Sequence, residues 1–218
     1  MPRAVSGFTL IELIVVLAII GVITALVLTS QSQFNRTLVL ANTAYDMGLA
    51  FRYAETYGIG TRALGSISNA GYGLHFDRGV TTSFSLFADS YPATTGLPLC
   101  HPLTNGASAP DARPGDCVYE KGSDPLVTTY SIGNGITIAD FCADTLAGWS
   151  CANSGSASLS SLDIVFARPN PDPYIRYNGS SGNVGTAACI ALSAGPGSER
   201  YVSVAASGEI NPNAAPCP

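Results

Sequence analysis

The chain has 218 residues, a size that fits one domain or one domain with an appendage. Lys and Arg total 10 against 15 Asp and Glu, giving a formal charge of −5; only 11% of the residues are charged and 46% are hydrophobic. This balance speaks against a duplex nucleic-acid binder, which needs a basic footprint, and against a basic membrane-surface domain.

The first seven residues, MPRAVSG, are polar and made positive by Arg3 and the amino terminus. Residues 8–28, FTLIELIVVLAIIGVITALVL, follow with a single charge, Glu12. As a helix this run reaches about 31 Å, enough for one membrane crossing. It is longer than the core of a secretory signal, and no small-x-small cleavage pattern closes it, residues 25–30 reading ALVLTS. The positive leader keeps that end in the cytoplasm. Glu12 costs about 2.5–3.5 kcal/mol inside a membrane. With no Lys or Arg near it, the nearest intrachain cation would be an α-amino group released by cleavage between Gly7 and Phe8.

Residues 29–58 continue as an amphipathic stem helix. Phe34, Leu38, Ala41, Tyr45 and Leu49 recur every three or four residues, and Met47, Phe51 and Ala54 widen the stripe. Gly58-Ile59-Gly60 stops it. Arg52 and Glu55 have the spacing of an ion pair on the solvated face.

Residues 59–218 hold all six cysteines and most of the Gly and Pro. Tyr72, Leu74 and Phe76 alternate, then Phe84 and Leu86, around Asp77-Arg78-Gly79, which is a hairpin signal. Residues 89–125 form a long loop rich in Pro, Gly and Asp. Strand patterns resume at 126–132, 136–139, 162–166, 174–177, 188–192 and 202–204, with a short Glu209-Ile210. The expected class is α+β: a long N-terminal transmembrane and stem helix packed against an antiparallel β-sheet or β-sandwich domain. The expected divisions are 1–7 leader, 8–28 membrane segment, 29–58 stem and 59–218 exported β domain.

No cysteine lies in a CxxC pair, and an even number at wide spacing points to disulfides in an oxidising compartment. Sequential pairing gives Cys100–Cys117, Cys142–Cys151 and Cys189–Cys217. No catalytic, cofactor or metal residue is assigned. The histidines, His75 and His101, stand near no nucleophile motif. Asp111, Asp116, Glu120 and Asp124 are oxygen donors of the kind that hold calcium, although a solvated acidic loop is the plainer reading. Trp149, between Cys142 and Cys151, reads as filler of a small loop core or else as a contact aromatic, the first being preferred.

The run from Gly7 to Gly21, GFTLIELIVVLAIIG, resembles the class III signal sequence of type IV pilins and pseudopilins. The resemblance implies cleavage after Gly7 by a prepilin peptidase and N-methylation of Phe8. It also implies pairing of Glu12 with the N-terminal amine of a neighbouring subunit. Thr29 stands where major pilins often carry proline. The stretch GLAFRYAE, residues 48–55, resembles the stem of H-type minor pseudopilins, with Phe51 replacing an alanine. YGLHFD, SLFAD, VTTYSIGNGI, LDIVFARPNPDP and YVSVAASGEI follow in the order of that branch.

The expected function is therefore a structural, non-enzymatic minor pseudopilin of a type II secretion pseudopilus. The alternative is a minor pilin of a type IV pilus or DNA-uptake filament with an adhesive or ligand-binding loop surface. The partners implied are the prepilin peptidase, other pilin or pseudopilin subunits through the N-terminal helix, and the inner-membrane assembly platform; no nucleic acid is expected. The place implied is the bacterial inner membrane, crossed once with the N-terminus cytoplasmic.

Overall fold

The computed structural model describes residues 7–60, 62–65, 70–90, 115–153, 158–168 and 171–218, with backbone only for 29–34. The expectations for Cys100, His101 and Asp111, and for the side chains of Thr29 and Phe34, lie outside the described residues. The chain divides into two compact units, one ending at Val39 and the other Leu40–Pro218. One helix, α1 (Leu10–Ile59), contributes to both.

In the first unit the beginning of α1 is apolar. Leu10–Leu28 has the length and hydropathy of a membrane span, and none of it is buried. The Thr24 hydroxyl donates to the Ile20 carbonyl at 2.7 Å, so this polar group is satisfied without water.

The second unit holds residues 40–59 of α1 and eleven described strands: β1 (Gly71–Asp77), β2 (Ser83–Asp89), β3 (Leu126–Ser131), β4 (Thr137–Thr145), β5 (Gly148–Cys151), β6 (Ser161–Phe166), β7 (Tyr174–Tyr177), β8 (Ser180–Gly185), β9 (Ala187–Ser193), β10 (Glu199–Ala205) and β11 (Ile210–Asn211). They form two antiparallel sheets, β3-β2-β1-β6-β7-β8 and β11-β10-β9-β4-β5. The architecture is α+β with a long N-terminal helix.

Alternation sets the faces of the first sheet. Tyr72, Leu74 and Phe76 of β1 lie opposite Phe166, Ile164 and Leu162 of β6, and all six are buried. Phe76 joins the layers: its ring lies 6.1 Å from Phe51 of α1, 5.4 Å from Phe84 of β2 and 6.4 Å from Phe141 of β4. Such aromatic contacts add about 0.5–1.5 kcal/mol each beyond area burial.

The buried stripe of the stem agrees with the expected one at Met47, Phe51 and Ala54 and departs from it elsewhere. Leu40, Ala44, Met47, Ala50, Phe51 and Ala54 are buried, while Leu38, Tyr45 and Leu49 are exposed. Small residues decide this by letting the helix approach the sheets. A Cβ on Gly58 would overlap the carbonyl oxygen of Phe166, and one on Gly48 would lie 3.1 Å from Pro212. Arg52 Nη1 meets Glu55 Oε2 at 2.8 Å, an exposed i,i+3 pair worth a few tenths of a kcal/mol.

β8 was not marked by alternation. Its signal is Asn178-Gly179, where both residues have positive φ (58° and 61°), the requirement of a two-residue type I′ turn between β7 and β8. Trp149 does not fill a loop core. It stands on the edge strand β5, 38% exposed, beside the fully exposed Leu146.

Candidate functional site

The N-terminal site is built by where the helix begins. Thr9 precedes the first helical residue, Leu10, and Glu12 sits three residues later. The Thr9 amide and hydroxyl donate to Glu12 Oε2 at 3.0 and 2.7 Å, and the Glu12 amide donates back to Thr9 Oγ1 at 3.4 Å. This is a capping box, two helix-end donors satisfied reciprocally. It also places a carboxylate where the helix dipole favours negative charge.

The cap leaves Gly7 and Phe8 outside the helix. Phe8 is 85% exposed. Among the described residues, and beyond its own chain neighbours, no atom lies within 4 Å of where a Cβ on Gly7 would stand. The Gly7–Phe8 bond is thus non-helical and not covered by any other described segment, as a peptidase substrate must be. Sequence reasoning identified Gly7, Phe8 and Glu12 but missed Thr9, although T-x-x-E before an apolar run is its signal.

A second polar constellation occupies the outer face of the first sheet. The register aligns Thr129, Ser85, His75, Asp163, Arg176 and Val184 in one row across β3, β2, β1, β6, β7 and β8. His75 Nδ1 lies 2.6 Å from Asp163 Oδ1, and the His75 ring packs on Tyr119. Asp163 is wholly buried; burial pushes its carboxyl up, and the bond from His75 opposes that. Arg176 is buried as well, its Nη1 donating to the Ile175 carbonyl at 3.0 Å, and burial lowers it. Beside this row is a cavity of about 290 Å³, lined among others by His75, Ser83, Ser85, Tyr119, Lys121 and Thr129.

Residues 115–125 cover this face. Phe87, Cys117 and Val165 form a buried cluster with Tyr119 and Tyr174 against it. Asp89 Oδ2 accepts the Cys117 amide at 2.9 Å, while Asp124 Oδ1 and Oδ2 accept the amides of Ser90 and Glu120 at 2.8 and 3.0 Å. Asp116, Glu120 and Asp124 are therefore not a solvated acidic loop. Burial first, then mutual repulsion, pushes Asp89 well up and Glu120 to about 8; Asp116 is also raised, burial being the main cause.

Two disulfides close within the described residues, Cys142–Cys151 and Cys189–Cys217. Cys142 lies opposite both Cys151 on β5 and Cys189 on β9, so both bridges belong to one buried cluster on the second sheet. Cys117 is disulfide-bonded too. Asp140 approaches the Cys142–Cys151 pair. Sulfurs bonded to each other are not thiolates, so this group is a poor metal ligand set.

Residues 2–28 match the family described as the prokaryotic N-terminal methylation motif. The match and the capped apolar helix define a prepilin-type N-terminus on a single-pass membrane anchor, and they support a pilin-like or pseudopilin-like subunit. No curated protein and no solved structure matches the chain.

Proposed function

We propose that this protein is a structural minor pseudopilin of the H-type branch, serving the pseudopilus of a type II secretion system. A prepilin peptidase cuts after Gly7 and methylates Phe8. The N-terminus faces the cytoplasm and the β domain the other side of the inner membrane. The assembly platform then draws the subunit into a filament through α1, and the subunit performs no catalytic step. The observation that carries this reading is the non-helical Gly7–Phe8 bond, placed immediately before a capped helix whose first part, Leu10–Leu28, is apolar apart from Glu12 and Thr24. The likeness of residues 48–55 and of the strand blocks to H-type stems and domains favours secretion.

A second reading is a minor pilin of a type IV pilus or DNA-uptake filament with a contact surface. It draws support from Leu146 and Trp149, exposed at the end of a hairpin that the Cys142–Cys151 bridge staples. Deleting the gene in its own host separates the two. Loss of exported enzymes from the medium with intact pili and DNA uptake supports the first reading; the converse supports the second. Mass spectrometry of the mature N-terminus tests both, since each requires methylated Phe8.

A further inference from the structure

We infer that residues 115–125 act as a proton-held latch over the outer face of the first sheet, closed while its carboxyl cluster retains protons and released when the cluster ionises.

The cover lies on charged groups. From β2 comes Asp89, wholly buried, with Gly115 so close that a Cβ there would overlap the carboxyl group. The cover brings Asp116, Tyr119, Glu120, Lys121 and Asp124. Facing them are His75 of β1, Asp163 of β6, and Tyr174 and Arg176 of β7. Among the described residues five carboxyl groups thus meet one arginine and one histidine, with Lys121 exposed. His75 is committed to Asp163. Asp89 Oδ1 and Glu120 Oε2 are buried without a hydrogen-bond partner among the described residues. Glu120 is crowded by the carboxyl groups of Asp116 and Asp124, which, with its burial, favours the protonated form.

Two backbone amides bridge the cover and the end of β2, Cys117 donating to Asp89 and Ser90 to Asp124, while those of Val118 and Glu120 donate to Asp116 and Asp124 within the cover itself. Opening would hydrate the carboxyls and uncover Phe87 and Val165, which are otherwise buried. The proton balance gives the direction. In the closed state Glu120 keeps its proton up to about pH 8, against an ordinary 4.5. Opening between these values releases that proton, so Glu120 alone makes the opening constant rise about tenfold per pH unit, levelling off near 8, and any proton held by Asp89 or Asp116 steepens the rise.

The test is amide exchange on the full chain in detergent, from pH 6 to pH 8, corrected for the intrinsic pH dependence of exchange. The Ser90 and Cys117 amides, which bridge cover and sheet, should lose protection by about 50-fold over this range, while β9 amides keep theirs. Glu120→Gln, which keeps the shape and cannot ionise, should flatten the dependence. Corrected protection that is constant with pH in the wild type would overturn the latch. So would an unchanged pH slope in Glu120→Gln. Should that variant not fold, Asp116→Asn is read in its place, and the wild-type series decides in either case.

Discussion

Thr9 and Glu12 hold each other across the first turn of α1, the Thr9 amide and hydroxyl both reaching Glu12 Oε2. The costly carboxylate of the membrane segment is therefore already partnered within its own chain. Any pairing with an N-terminal amine must compete with this cap or be added to it.

Glu12→Ala should leave membrane insertion intact or improve it, because a charge that is costly in a membrane, though less so in the first turn of the span than at its centre, is gone. It should lower subunit–subunit crosslinking in assembled filaments. Equal crosslinking yields for mutant and wild type would show that the carboxylate is not needed for assembly. Thr9→Ala removes only the cap, at a cost of about 1 kcal/mol to the helix start, and should reduce crosslinking less.

Gly7 has open space around it. Replacing it cannot disturb the described fold, so any effect reports on the peptidase. Gly7→Ala should slow processing modestly and Gly7→Leu should block it, read as the ratio of precursor to mature protein on gels. Full processing of Gly7→Leu would move the cleavage site elsewhere.

Gly58→Ala offers the reverse case. Alanine is favoured over glycine in a helix interior by about 1 kcal/mol, so an isolated stem would gain. Here the added Cβ would overlap the Phe166 carbonyl oxygen, which is backbone and cannot swing aside. The melting temperature should fall. A rise would mean that α1 and β6 separate easily.

The two described bridges close loops of unequal length, with sequence separations of 28 and 9. Chain-entropy arguments give about 3.5 and about 2.5 kcal/mol, so Cys217→Ser should lower the melting temperature more than Cys151→Ser. Cys217→Ser also leaves a Cys189 thiol opposite Cys142. Its thiolate can attack the Cys142 sulfur and release Cys151. Non-reducing peptide mapping of that variant should therefore show a Cys142–Cys189 peptide beside the native one. Its complete absence would mean that the cluster is too rigid for exchange.

The sequence alone determined the anchor and the class. An uninterrupted apolar run with one carboxylate needs no tertiary partner to be read, because its environment is lipid and its backbone bonds are local. Strand alternation was legible where one face is apolar, as in Tyr72, Leu74 and Phe76. Tertiary structure decided what depends on residues far apart in the chain. The stem buries Leu40 and Ala44 rather than Leu38 and Tyr45, because Gly48 and Gly58 set the line of closest approach to Pro212 and Phe166. The acidic stretch of residues 116–124 gains its properties only by lying on Asp89 and Asp163, which sit on strands that it does not adjoin in sequence. Burial and charge proximity are properties of three-dimensional neighbours, and composition within a loop does not reveal them.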